Sequence, residues 1–382
     1  MPETNQLAFT LDEYRDRLRR VQHDMRERGL DVLVVLDRAN ICYLTGMENC
    51  YMTAFYAAVV PASDEPILVA SQFEMLNARL SSWCEAQATF PVGGNPIETL
   101  CRAPAELGCA GGRIGLERHV MSAARYEEIR ERLPQAQLVE AGDLVPRLKA
   151  IKSAREIDYL RQAGQQSSLG MEAALARATV GASDNDVAAA AYQAMLRAGS
   201  EFPCIDPIVT VGQRSGVPHT TFRRTTIEPG DCVLIEVGGA MCRYSAPMMR
   251  TAAAQPVDEK VREAAAACRT AVESLIENMR PGAVAREVAA KAKVSWTPIC
   301  EELLWHGIYA YSVGLGFPPD WNDTPLCITE GSDLVLQVGM CFHASASLRL
   351  PHRFGTAVSE TVLITERGNE VLTSGPRELR VV

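Results

Sequence analysis

Residues 230–239 read GDCVLIEVGG. Cys232, Val233, Leu234, Ile235 and Val237 make an apolar run with the length and β-branched content of a buried strand, yet Glu236 stands inside it. An ionised carboxylate moved into an apolar strand without partners costs several kcal/mol, so Glu236 must be paired, hydrogen-bonded or raised in pKa. Strand alternation leaves a second possibility, a carboxylate on a wet face or at a sheet edge. The surrounding stretches decide between them.

Around this run the texture is that of short strands: IVTVG (208–212), CVLIEVGG (232–239) and CRYSAPMMRTAAA (242–254). Before them come two helices. A long one runs from Ala154 through AREIDYLRQAGQQSSLGMEAALARA, and SDNDVAAAAYQAMLRAG opens on a Ser/Asp cap cluster and closes on Gly199. After them, helices are predicted around 257–279 and 284–304. Strands return in DLVLQVGMCFHASASL (333–348) and GTAVSETVLITERGNEVLT (355–373). Helix pair, strands, helix pair, strands is an internal duplication visible in element order rather than residue identity.

The first half alternates helices and strands. LDEYRDRLRRVQHDMRERGL carries Leu11, Tyr14, Leu18, Val21 and Met25 at helical spacing with Gly29 as a stop. DVLVVL (31–36) reads as a strand, AAVVPASDEPILVAS as two strands around a turn, RIGLE (113–117) as a strand and SAARYEEIRERL as a helix. An α/β domain over 1–152 follows from that order, with an α+β domain over 153–382. The length of 382 residues suits two domains at about 100 to 200 residues each.

Composition narrows the function classes. Hydrophobic residues make up 47% and charged residues 22%, the formal net charge is −9, and there is no basic block. That excludes nucleic acid, whose phosphates demand concentrated Lys and Arg, and an anionic membrane for the same reason. The stretch MPETNQLAFTLDEYRDRLRR lacks the basic segment and apolar core of a signal peptide, so a cytoplasmic location is expected. The 12 cysteines are scattered with no C-x-x-C pair, as reduced packing residues would be.

Four stretches carry candidate chemistry. Glu236 is the first. SGVPHTTF (215–222) puts His219 after a proline in a loop between strands; facing a buried glutamate, a histidine becomes half of a nucleophile or acid/base pair. YAYSVGLGFPPDW (309–321) concentrates glycines, prolines and aromatics into a shaped loop suited to a pocket wall, or into a rigid turn with core aromatics. GMCFHASAS (339–347) puts His343 and Ser345 two apart, on one face of a strand.

The ordered set PH, GDCVLIEVGGAMCRYSAPMMRT, YSVGLG, GMCFHAS and SETVLITERG, preceded by LKAIKSAREIDYLRQA, resembles the superfamily of creatinase, prolidase and methionine aminopeptidase. RANICYLTG (38–46) is similar to the N-terminal domain of creatinase and prolidase. The resemblance implies a creatinase-type α/β N-terminal domain and a catalytic domain of the pita-bread fold. Metal-dependent members hold two metal ions with two aspartates, a histidine and two glutamates. Those positions fall here on Glu236, Pro247, Tyr311, Ser345 and Ser359. Proline offers no side-chain donor, and serine or neutral tyrosine is a poor ligand for a hard divalent ion, so no metal and no other cofactor is expected.

What is left resembles the metal-free branch of creatinase and ectoine hydrolase, with SVGLGFPPDW and E…RYSAPMMRT leaning towards ectoine hydrolase. This implies a small-molecule substrate, a cyclic amidine whose C2 carbon is attacked by Glu236 while His219 serves as general acid and base; water activation by His219 beside an electrostatic Glu236 is equally compatible. Strand parity turns His343, Ser345 and Ser359 to the pocket and Glu360 away from it. Trp321 and Tyr311 would wall a flat amidinium by cation–π contact. Arg250, Arg349 and Arg353 are equal candidates for a substrate carboxylate. The resemblance also implies a homodimer with sites near the interface, Tyr51 entering from the partner. A creatinase-like amidinohydrolase, an Xaa-Pro metallopeptidase and a non-catalytic pita-bread binding module stay open.

Overall fold

The computed structural model describes residues 7–296 and 302–382. The chain divides into two compact units, Met1–Lys149 and Ala150–Val382.

In the first unit the elements run α1 (Leu11–Glu27), β1 (Val32–Val35), α2 (Arg38–Thr45), β2 (Tyr56–Pro61), β3 (Ile67–Ser71), α3 (Met75–Ser81), β4 (Gln87–Phe90), α4 (Pro96–Glu106), β5 (Arg113–Leu116), α5 (Ala123–Arg132), β6 (Gln137–Glu140) and α6 (Leu144–Lys149). The strands form a six-stranded mixed sheet in the order β4-β3-β2-β1-β5-β6. β1 is apolar along its whole length because it lies in the middle, antiparallel to β2 and parallel to β5. RANICYLTG becomes α2, capped by Asp37 and stopped by Gly46 in the left-handed conformation.

The second unit runs α7 (Ala154–Arg177), α8 (Asp184–Arg197), β7 (Ile208–Val211), β8 (Cys232–Met241), β9 (Tyr244–Ala253), α9 (Glu259–Asn278), α10 (Ala285–Lys293), β10 (Ala310–Phe317), β11 (Asp320–Ile328), β12 (Cys341–Leu350), β13 (Phe354–Thr365), β14 (Gly368–Val371) and β15 (Arg380–Val381). Its 9-stranded sheet has the path β14-β13-β12-β10-β9-β8-β7, with β11 on β10 and β15 on β9. The α/β domain followed by a pita-bread domain is therefore what the chain forms. The duplication is physical: α7 packs over β8 and β9 with α8 against α7 and β7, while α9 packs over β12 and β13 with α10 against α9 and β11.

Local chemistry explains the placement. α7 starts where a capping box closes, Ser153 Oγ accepting from the Glu156 N–H and the Glu156 carboxylate accepting from the Ser153 N–H. Ser167 then ties the helix to the sheet, accepting from the Gly239 N–H at 2.7 Å and donating to the Ala246 carbonyl at 2.5 Å. The two glycines that end the opening stretch serve opposite faces of β8. A Cβ on Gly239 would stand 2.7 Å from the Ala163 carbonyl of α7, and one on Gly238 would stand 2.8 Å from the Trp321 ring. Helix on one side and indole on the other approach β8 too closely for any side chain there.

Three expectations about elements change. YAYSVGLGFPPDW is no loop: Ala310–Phe317 and Asp320–Ile328 pair as a hairpin whose turn holds Pro318 and Pro319. Its glycines leave room for close neighbours: a Cβ on Gly314 would stand 2.6 Å from Asp323 Oδ2, and one on Gly316 2.9 Å from the Asp320 carbonyl. The strand expected from 333 begins only at Cys341, after Gly339 adopts φ 91°. The helix expected over 284–304 ends at Lys293 in α10, and its continuation at 297–301 lies outside the described residues. All described cysteines are free thiols.

Candidate active site

Antiparallel partners directly opposite each other share a sheet face, so the register gives the lining. Glu236 pairs with Met249, and Gly238 with Pro247. On the other half, Tyr311 pairs with His343, Ser345 with Ser359, Ser347 with Ala357 and Arg349 with Gly355. The two halves meet on this face, where Leu234, Met249 and Ala357 form one apolar cluster. Glu236 thus looks out beside Met249 towards the row Ser345, Ser347, Arg349.

Glu236 is only 6% exposed, and no hydrogen bond reaches its carboxyl among the described residues. Burial pushes its pKa up to about 8, with the Arg349 guanidinium pulling the other way. Glu236 and Arg349 do not form an ion pair, so each feels the other across a gap.

Four expected site residues come together around a single imidazole. His343 is fully buried; its Nδ1 lies 2.6 Å from the Tyr311 hydroxyl and its Nε2 2.5 Å from Ser359 Oγ. Trp321 Nε1 donates to the same Tyr311 oxygen at 3.0 Å. Burial, with a further push from His306, takes the His343 pKa down to about 3, so the ring is neutral at ordinary pH. It then has one N–H and one lone pair for its two hydroxyl partners. Burial and the nearby Glu236 hold the Tyr311 phenol well above its usual range. Ser345 is buried with its Oγ unpartnered among the described residues, and Ser347 Oγ is in the same state.

His219 sits at the rim. Its φ is 55° and its side chain is exposed. The group it meets is His306 rather than Glu236: the charges of Arg349 and His219 add to desolvation in lowering the His306 pKa, although part of that ring reaches solvent. His306 Nδ1 accepts from the Ile308 N–H at 3.2 Å, which leaves the neutral ring's proton on Nε2. Tyr51 lies in the first unit with its side chain 60% exposed.

His306, Ser347 and Arg349 belong to this neighbourhood although sequence reasoning did not single them out together. Ser347 and Arg349 continue the alternation begun by His343 and Ser345, a signal that was available. His306 arrives through tertiary structure alone: the backbone of Leu304 bridges that of Arg349 in both directions, at 2.8 and 3.0 Å, and lays residues 304–306 against β12. Glu360, opposite Ala344, faces away and is consumed by Arg250 at 2.7 Å, Arg377 at 2.8 Å and the Thr373 hydroxyl.

The donor set does not fit a pair of divalent ions. Among the described residues no group of three or more His, Cys, Asp or Glu side chains could hold one. The face offers a single carboxylate, hydroxyls and an imidazole whose two nitrogens are both engaged. No helix among the described residues is long and apolar enough to cross a membrane.

Comparison with known proteins agrees with this architecture. Residues 158–366 match the model of metallopeptidase family M24, and residues 17–151 that of the creatinase/prolidase N-terminal domain. The chain is 27% identical to the ectoine hydrolase of Halomonas elongata, over 98% of each chain. To the Xaa-Pro dipeptidase of Pyrococcus furiosus it is 26% identical, over 96% of this chain and 99% of the relative. The crystal structure of dipeptidase PepE from Mycobacterium ulcerans superposes with a TM-score of 0.85 at 24% identity, covering 98% and 99% of the two chains, which speaks to the fold. A match running from within α7 to the end of β13 places this chain in metallopeptidase family M24, a family of hydrolases, with the N-terminal domain of creatinase and prolidase ahead of it.

Proposed function

We propose that this protein is a metal-independent hydrolase of a C–N bond in a small cyclic amidine, with ectoine or hydroxyectoine as substrate and N-acetyl-diaminobutyrate as product. One observation carries the reading: Glu236 is a buried carboxyl without a hydrogen bond among the described residues, near the Tyr311 phenol and with the Arg349 guanidinium acting on it only across a gap. Such a group is a vacancy for a cation. In the free protein most of it is protonated at pH 7, because its pKa is about 8. An amidinium entering the site supplies the missing positive charge, so Glu236 ionises as the substrate binds and one proton is released.

Ionised Glu236 then adds to C2, forming a C–O bond. Water afterwards displaces the carboxylate oxygen, C2 becomes the acetyl carbonyl, and the ring nitrogen leaves as an amine with a proton delivered by His219. The net change is one water added across one C–N bond. Tyr311, Trp321, His343, Ser345 and Ser359 hold the ring: two aromatic walls and a network of neutral donors that leaves the charge balance to Glu236. The ectoine hydrolase relative, matched over nearly the full length, supports the substrate. In this reading the enzyme is a cytoplasmic homodimer, and the exposed Tyr51 reaches the site of a second copy.

The similarity to Xaa-Pro dipeptidase favours a second reading, and one assay separates them. Chelator-treated protein is incubated with ectoine, hydroxyectoine, creatine and X-Pro dipeptides, and the products are followed by mass spectrometry. Ring opening without metal, abolished in Glu236→Ala and in His219→Ala, is the expected result. Dipeptide cleavage that needs added metal overturns the proposal, as does a fully active Glu236→Ala. Turnover of creatine alone assigns a creatinase-like amidinohydrolase, and turnover of nothing a binding module.

A further inference from the structure

The register leaves three guanidiniums that could meet the acidic end of a substrate, and their surroundings separate them. Arg250 pairs with Ile235 and therefore lies on the sheet face opposite Glu236. Its donors are spent on the carbonyls of Pro376, Met249, Ser359 and Gly375 and on the Glu360 carboxylate. Arg353 is exposed, with Asp258 3.7 Å away. Arg349 alone of the three shares the face of Ser345 and Ser347, at the end of the same strand row.

Its hydrogen bonding is lopsided. Nη1 donates to the Ser215 carbonyl at 2.5 Å and, weakly, to the Val217 carbonyl at 3.5 Å. Nη2 and Nε make no hydrogen bond among the described residues. A guanidinium held by one corner keeps the paired N–H edge that matches a carboxylate bidentately. Glu236 does not take that edge, since the two form no ion pair although each shifts the other's pKa. On the same strand row as Arg349 are two buried hydroxyls without partners among the described residues, Ser345 Oγ and Ser347 Oγ. Ser347 is one alternation from Arg349, about 7 Å along the strand at ~3.3 Å per residue. Buried polar atoms left unsatisfied along one strand face are a standing cost that a polar ligand would relieve.

We propose that Arg349 is the carboxylate-binding residue of this site and that the pocket takes a small zwitterion, its cation at Glu236 and its carboxylate at Arg349, with Ser345 and Ser347 bonding the atoms between. The assignment rests on the amidine hydrolase reading and sharpens it to substrates carrying both charges. Arg349 also grips the segment that presents His219, two residues after Val217, so a bound carboxylate and the proposed acid/base residue share one anchor.

The test compares two ligands that differ by one group: ectoine and the same ring lacking its carboxylate, 2-methyl-1,4,5,6-tetrahydropyrimidine. Binding to the full chain is measured by calorimetry and ring opening by mass spectrometry, in wild type, Arg349→Gln and Arg349→Lys, each checked by thermal unfolding. The readout is the ratio of affinities for the two rings, about a hundredfold in wild type, which is the scale of a bidentate charge-assisted pair. It falls to near one in Arg349→Gln and to an intermediate value in Arg349→Lys, which keeps the charge and loses the fork. If Arg349→Gln does not fold, the ratio in Arg349→Lys decides. A variant that weakens both rings equally shows Arg349 to be a prop for the 215–217 segment, and overturns the assignment. Ring opening at equal kcat/KM for both rings overturns it too while leaving the hydrolase reading intact. Carboxylate-dependent binding without any turnover does the reverse.

Discussion

Replacing Glu236 with glutamine tests whether its carboxyl is buried as described. The amide is nearly isosteric with the protonated acid but cannot ionise. Glu236 titrates at about 8 in the folded protein against 4.5 in the unfolded chain. Between those values the native state holds a proton that the unfolded state has released, so stability falls as pH rises through the window. At ~1.4 kcal/mol per pH unit the whole interval corresponds to about 5 kcal/mol, a ceiling because water entering the site screens the charge. His343 contributes with the opposite sign. Its folded pKa of about 3 lies below the unfolded 6.5, so its share of stability is lost as pH falls from 6.5. From 4.5 to 6.5 the two slopes cancel, and above 6.5 only the falling limb of Glu236 remains, up to about pH 8. The assay is urea unfolding followed by tryptophan fluorescence at half-unit steps from pH 4 to 9. Glu117, pushed up to about 7 by burial in the first unit, adds a like slope there, so the difference between variant and wild type is the quantity of interest. Glu236→Gln is expected to match wild type near pH 4.5 and to exceed it by several kcal/mol at pH 8.5, the Glu117 and His343 slopes being common to both proteins. An unchanged difference from pH 4.5 to 8.5 refutes the buried, unpaired carboxyl on which the reading depends.

Two further substitutions probe the supports of the site. Gly238→Ala puts a methyl 2.8 Å from the Trp321 ring, so the indole must shift from Tyr311; a loss of about 1–3 kcal/mol and a changed Trp321 emission are expected, and an unperturbed emission spectrum counts against the packing. Glu360→Ala strips the buried Arg250 of its carboxylate and should lower unfolding free energy by about 3–5 kcal/mol, measured by the same urea titration, whereas a substitution within 1 kcal/mol of wild type shows that the cluster is solvated.

Much of the fold is legible because it rests on local signals. The long helix from Ala154, the Ser/Asp cap that opens SDNDVAAAAYQAMLRAG and the apolar run at 232–237 each depend on neighbours in sequence, and each forms where expected. The hairpin at 310–328 was not legible, since its glycines and prolines are turn formers whose pairing partner, β12, lies beyond the second strand. The strand expected from 333 failed for a related reason: alternating apolar residues at 333–340 pack against α9 and α10 without a ladder to join.

Site chemistry divides in the same way. Sequence by itself determined that Glu236 lies within an apolar strand and that His343 and Ser345 share a face. These follow from residue type and a period of two, which no fold can alter once the strands form. Tertiary structure decided the rest: that His343 is bracketed by Tyr311 and Ser359, that Arg250 and Glu360 pair behind the sheet, and that Arg349 reaches the Ser215 carbonyl. These contacts join residues from 16 to more than 100 positions apart, and only the register of the nine-stranded sheet brings them within a few ångströms.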